Sequence, residues 1–199
     1  MKIPYKQIVT WALIIMAGYV FLNFEFFSKT VGFALKEEPM AVVTPTPTAE
    51  KMEPDSLIIP SLGISAPVIY ASEVDEKKFQ ELLQKGVVHY PNTVVFGKPG
   101  NAYVFGHSSD YPWARGEYKT VFALLPNIKI GDEIMVSDQE GFIYKYKVRE
   151  TQVVSNNDKS ILNNQDKANI WLTLQTSYPV GTALKSLKGK PNIGFVLIV

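Results

Sequence analysis

The chain has 199 residues, enough for one domain of about 140 residues plus extensions, and its formal net charge is +1. That balance gives no bulk electrostatic reason to expect nucleic acid as a partner. The chain has no cysteine, which excludes disulfides, cysteine-ligated metal and a thiol nucleophile together.

The first element is apolar. From Ile8 to Phe24 the run IVTWALIIMAGYVFLNF carries no charge, and Phe26 and Phe27 extend it past Glu25. As a helix this run covers about 25 Å, slightly short of a typical hydrocarbon core. Trp11 and Tyr19 suit interfacial positions. The run exceeds a usual signal-peptide core, and no clear small-x-small cleavage site follows it, so residues 8–27 read as an uncleaved transmembrane anchor. Lys2 and Lys6 before the span balance Lys29 and Lys36 after it. The short tail, residues 1–7, favours a cytoplasmic N-terminus and an extracellular C-terminal domain, a single-pass protein of the cell membrane. Residues 28–56 form a linker, and its KEEPMAVVTPTPTAEKMEPDS stretch is too polar and too Pro-Thr-rich to bury a core.

Residues 57–199 form the globular part, which is mainly β. Short apolar runs occur in SLIIPSLGISAPVIY, NAYVFGH, NIWLTLQT and IGFVLIV. DEIMVSD and GFIYKYKVRETQVV read as a hairpin turning near Asp138 to Gly141. In its second arm Phe142, Tyr144, Tyr146 and Val148 share one face, with Lys145, Lys147 and Arg149 on the solvated other. DEKKFQELLQKG predicts a helix with Phe79, Leu82 and Leu83 at i, i+3, i+4, Asp75 as N-cap and Gly86 as the stop. KTVFALL predicts a short helical turn. Seven or eight short strands with few helices point to a closed barrel or a sandwich.

Three residues carry the chemical interest. His107 follows an apolar strand and Gly106, and precedes the turn-forming Ser108, Ser109 and Asp110. Ser177 ends the alternating strand WLTLQT and precedes the strand-breaking Tyr178, Pro179 and Gly181. Two strand-end side chains of this kind can face one another across a barrel end. The other histidine, His89, lies between Val88 and Tyr90-Pro91, which suits wall packing. The bland readings are a turn serine for Ser177 and surface charge for Arg115 and Arg149, the only arginines. Two histidines without a carboxylate cluster argue against metal, and no phosphate loop, dinucleotide fingerprint or GxSxG elbow is present.

Taken in order, IPSLGISAPV, LLQKGVVHYP, GNAYVFGHSS, YKTVFALLPNIKIGDEI and LTLQTSYPVGTALK resemble the sortases, membrane-anchored transpeptidases of bacterial surfaces. The likeness is greatest to the class with a TL-x-TC-x-P-x-GT signature. The resemblance implies a closed eight-stranded β-barrel with a groove, one or two short helices and the N-terminal transmembrane helix. It also implies a cysteine that attacks the Thr-Gly bond of an LPxTG-type sorting signal, a histidine that exchanges protons, and an arginine that holds the substrate and the oxyanion. The partners it implies are the signal peptide or its surface protein, an amine acceptor from cell wall or pilin, and the membrane, with no cofactor, no metal and no nucleic acid. The histidine falls on His107. The cysteine position falls on Ser177, and the arginine window runs from Ser186 to Lys190 and holds no arginine. Thr176 and Ser108, beside these positions, are the substrate-binding residues it implies.

These departures matter chemically. A thiol titrates near pH 8.5 and forms a thiolate–imidazolium pair, whereas a serine hydroxyl needs a base in contact and a group orienting that base. Loss of a cationic oxyanion partner removes about 3 kcal/mol more, and lysine lacks the two-pronged geometry of arginine. Three readings follow. The chain is a sortase-like protein with impaired or lost catalysis that keeps its peptide groove as a binding module. Or it is an acyl transferase or hydrolase using Ser177 with His107 as base. Or the nucleophile was replaced deliberately, which explains Ser177 but not the missing arginine.

Overall fold

The computed structural model describes residues 5–24, 28, 31, 52–110, 116–155, 169–178 and 193–198. The chain divides into two units, Met1–Pro39 and Met40–Val199. In the first, helix α1 spans Tyr5–Leu22. Its apolar side chains lie exposed, among them Trp11, Ile15 and Phe21. Among the described residues no helix is long and apolar enough to cross a membrane. The end of the expected span and most of the expected linker lie outside the described residues.

The second unit is one sheet. Its strands are β1 (Ser56–Ile59), β2 (Ile64–Tyr70), β3 (Val87–His89), β4 (Gly100–Phe105), β5 (Glu133–Ser137), β6 (Ile143–Lys147), β7 (Glu150–Ser155), β8 (Ile170–Tyr178) and β9 (Ile193–Ile198). The spatial order is β6-β5-β1-β2-β3-β4-β8-β9-β7. The β2–β3 and β4–β8 pairs are parallel and the rest are antiparallel.

The structure corrects the expected closed barrel of eight strands. The sheet has nine strands, and no ladder joins its edges β6 and β7 among the described residues, so it is curled and open. The extra strand comes from GFIYKYKVRETQVV, which is two strands and not one. Val148 donates to Asp132 O at 2.9 Å and its carbonyl accepts from Gly131 N at 2.8 Å, which ends the ladder to β5. From Glu150 the chain pairs instead with β9, at the opposite edge. The turn before β6 is where the residues place it: Gly141 N donates to Asp138 O at 3.0 Å, and Gly141 takes the left-handed φ of 84°.

The core lies on one face of the sheet. Leu57, Ile59, Val68, Val87, Val104, Ile134, Val136, Leu172 and Leu174 are buried there with Phe96, Phe122 and Leu125. Each such side chain contributes about 1.5–3 kcal/mol of burial. Period-2 alternation explains why the strand residues between them face the other way. KTVFALL supplies Val121, Phe122 and Leu124 to the core in a turn that leads into a 3-10 segment at Leu125–Asn127.

Helix α2 spans Glu76–Leu83 and packs on the outer face. The Asp75 side chain caps it, accepting from Lys78 N at 2.8 Å. Phe79 and Leu83 are its buried anchors, set against Val88, Tyr90 and Phe105. Gly86 follows the helix for a packing reason: a Cβ there would lie 2.2 Å from Pro67 O, so only glycine lets β3 leave the helix so close to β2.

Candidate active site

The site is built on the parallel pair β4–β8. Their register sets Asn101 beside Trp171, Tyr103 beside Thr173, Val104 beside Leu174 and Phe105 beside Gln175. Ala102 and Val104 share the core face with Leu172 and Leu174. Asn101, Tyr103, Phe105, Trp171, Thr173, Gln175 and Ser177 share the outer face. Two bonds carry the pairing one residue beyond the strand end. Gly106 N donates to Gln175 O at 3.1 Å, and Thr176 Oγ1 donates to Gly106 O at 2.8 Å. Continued by two residues from Phe105 and Gln175, this register leads to His107 and Ser177, near the ends of adjacent strands.

His107 is held from the core side. Its carbonyl accepts from Phe122 N at 2.9 Å, and Gly106 before it has no room for a side chain, since a Cβ would lie 2.6 Å from the Phe122 ring. The imidazole is 16% exposed. Its Nε2 is buried and takes no hydrogen bond among the described residues. Asp110 Oδ2 lies 3.9 Å from that nitrogen, too far for a hydrogen bond but close enough to pair with an imidazolium. Burial pushes the His107 pKa down, and the Asp110 charge opposes that shift only in part. Burial thus disfavours the imidazolium, and the Asp110 carboxylate favours it. Ser108 is 1% exposed, and its Oγ is also buried without a partner among the described residues.

Ser177 is exposed on the outer face, as a group that meets a ligand must be. Thr176 turns the other way, is 4% exposed, and commits its hydroxyl to Gly106. It ties β8 to β4 just below the His107 and Ser177 positions. On its other side β8 pairs with β9, and the residue directly opposite Ser177 is Gly194. The strand neighbour of Ser177 thus carries no side chain. Ser186 and Lys190, the two residues expected at the arginine position, lie outside the described residues, as does Arg115.

His89 is apart from this arrangement. It pairs with Val104 on the core face, is 4% exposed, and donates from Nε2 to Val94 O at 2.9 Å. Tyr70 and Phe96 pack on its ring at centroid distances of 4.9 and 5.5 Å. Burial lowers its pKa. This is the wall packing its sequence neighbours suggest. Arg149 lies over Trp171, 5.1 Å from the ring centroid, near the other end of β8 from Ser177. No group of three potential metal-ligating side chains occurs among the described residues.

Sequence reasoning passes over two features of the outer face. One is Asp110, visible in the chain only as a turn residue three positions after His107. The other is Tyr103, whose hydroxyl donates to Gln175 Oε1 across the two strands. Alternation alone could have found this pair, since both residues lie on the face of Ser177. Tyr103 also closes a small apolar cluster with Val154, Tyr90 and Phe105. Beside it, Thr173 Oγ1 donates to Asn101 Oδ1 at 2.8 Å.

The fold has known counterparts. A sortase D5 transpeptidase of Clostridium perfringens superposes with a TM-score of 0.54 at 22% identity, over 72% of this chain and 75% of that one. Sortase C1 of Streptococcus agalactiae gives 0.55 at 20% identity, over 72% and 64%. Sortase A of Corynebacterium diphtheriae gives 0.54 at 22% identity, over 75% and 61%. The chain therefore spans less than two thirds of the last two. At these identities the likeness is one of fold. No curated protein matches the chain at a significant level. The family model of the sortase domain matches residues 57–188, well over half the chain and including both His107 and Ser177, and the chain belongs to the sortase family.

Proposed function

We propose that the chain is a membrane-anchored sortase-family protein whose domain keeps a site for an LPxTG-type sorting-signal peptide while the transpeptidation chemistry is impaired or lost. The observation that carries this is the make-up of the strand end. The cysteine position is Ser177, and the β-strand residue directly opposite is Gly194. A hydroxyl replaces the acidic thiol, and no cation stands on the adjacent strand to meet an oxyanion. Anchoring is supported by the uncharged run Ile8 to Phe24 and by the exposed apolar side chains of α1. An N-terminus in the cytoplasm and a domain outside the cell, with cell-wall or pilin amines as acceptors, complete the proposal.

The expected outcome is no release of amine from a Leu-Pro-Ala-Thr-Gly peptide by the wild-type protein, with residues around His107 and Ser177 shifting in an NMR titration of that peptide. A flat titration at millimolar peptide would overturn the binding role. Restoration tests the lost chemistry. Ser177→Cys combined with Gly194→Arg, or with Lys190→Arg, is expected to bring back cleavage, and the pair that succeeds locates the cation. Flotation of the full chain with vesicles, lost when residues 1–39 are removed, tests the anchor.

A second reading is favoured by one contact. Asp110 lies close enough to His107 to favour an imidazolium by charge, though not to hydrogen-bond the ring, so Ser177, His107 and Asp110 are the residue types of a serine acyl hydrolase. Fluorophosphonate labelling that disappears in both Ser177→Ala and His107→Ala would establish it in place of the inactive site.

A further inference from the structure

The missing arginine raises the question of what else on the outer face could meet a carbonyl oxygen. Gln175 and Ser177 lie on the same face of β8, two residues and about 6.6 Å apart along the strand. Gln175 is half-buried. Its side-chain oxygen accepts from the Tyr103 hydroxyl. With one lone pair of its oxygen engaged by Tyr103, the amide is fixed with its two N–H donors to offer. Tyr103 is 4% exposed and fixed by packing against Tyr90, at a centroid distance of 5.9 Å, so it holds the amide in one orientation. A buried phenol also needs a partner for its own hydroxyl, and Gln175 supplies it.

We propose that Gln175, oriented by Tyr103, is the neutral hydrogen-bond donor that receives a backbone carbonyl of the extended peptide lying past Ser177, in the role the absent arginine leaves open. Gln175 is a substrate-contacting residue in this scheme and Tyr103 a positioning residue. Side-chain amides serve as oxyanion donors elsewhere, without the long-range pull of a charge. The chemistry selected is an uncharged peptide carbonyl, with no preference for an anion. The proposal rests on the peptide-binding reading above, and the test separates the two.

The experiment is a titration of a capped Leu-Pro-Ala-Thr-Gly peptide into the folded protein, followed by NMR of side-chain N–H2 groups. The Gln175 amide pair, assigned by its absence in Gln175→Met, is expected to move downfield on saturation. Gln175→Met is expected to weaken binding by about fivefold to tenfold, the worth of one neutral hydrogen bond. Tyr103→Phe is expected to give a smaller loss in the wild-type background and none in the Gln175→Met background. That non-additivity would not arise if Tyr103 served packing alone. Backbone spectra of each variant establish that it is folded. If the wild-type protein binds but neither the amide signal nor the affinity responds, Gln175 is not the donor and the peptide site stands. If the wild-type protein does not bind at all, both proposals fall.

Discussion

Thr176 shows how one hydroxyl can matter more to a site than a residue that touches ligand. Buried on the core face, it satisfies the Gly106 carbonyl and locks the strand ends on which the His107 and Ser177 positions sit. Thr176→Val keeps the shape but leaves that carbonyl unpaired, which costs about 1–3 kcal/mol. The expected result is a lower urea midpoint at unchanged slope. Loss of stability below a few tenths of a kcal/mol would mean that water takes over the bond. The sequence motif TLQTS places Thr176 next to Ser177 but says nothing of the side it faces. The family resemblance implies substrate contact, whereas the hydroxyl is turned away from the exposed face and bonded to Gly106. His107 was legible because a histidine after a strand and a glycine is an uncommon setting. Asp110 was not, because an aspartate after two serines reads equally well as a turn.

At the scale of elements, patterning located α2 and most of the strands, since amphipathic period and turn residues are local signals. It failed where pairing is decided at a distance. The lysine-bearing arm continues without a Gly or Pro between Tyr146 and Val153, so nothing in its residues marks the change of partner from β5 to β9. Phe142 is likewise 61% exposed although it shares a period with buried Tyr146. Gly106 is the residue that joins element packing to the site. Its replacement by alanine puts a methyl group 2.6 Å from the Phe122 ring and 3.1 Å from Val87. Overpacking of this kind costs about 1–3 kcal/mol. Gly106→Ala should therefore lower the melting temperature and shift the amide resonances of His107 and Ser108 more than those of β5. A uniform or absent shift would show that the strand end yields without moving the imidazole.

For the whole domain, the two histidines set a common pH response. Burial lowers the pKa of both His89 and His107 in the folded chain. Well above about pH 6.5 both rings are neutral whether folded or not. Below it the unfolded chain takes up protons that the folded chain resists, so stability present at neutral pH is lost as pH falls through the depressed folded values. The urea midpoint is expected to drop between about pH 7.5 and about pH 5.5, and His89→Gln should flatten part of that drop. A midpoint that stays level over this range would mean that the rings are protonated inside the fold at no cost.

The parallel pairing of β4 with β8 also fixes when the site comes into being. Thr176 and Gly106 meet across 70 residues of sequence, a loop closure whose entropy must be met before any contact offsets it. On the ribosome β4 is complete long before Ile170 is made, so the His107 strand waits with one side unpaired. A nascent chain halted in that interval presents Ala102, Val104 and their neighbours along an open sheet edge, which is a template for aggregation. The order of synthesis thus makes β8 both a late part of the site to arrive and the strand that covers this edge.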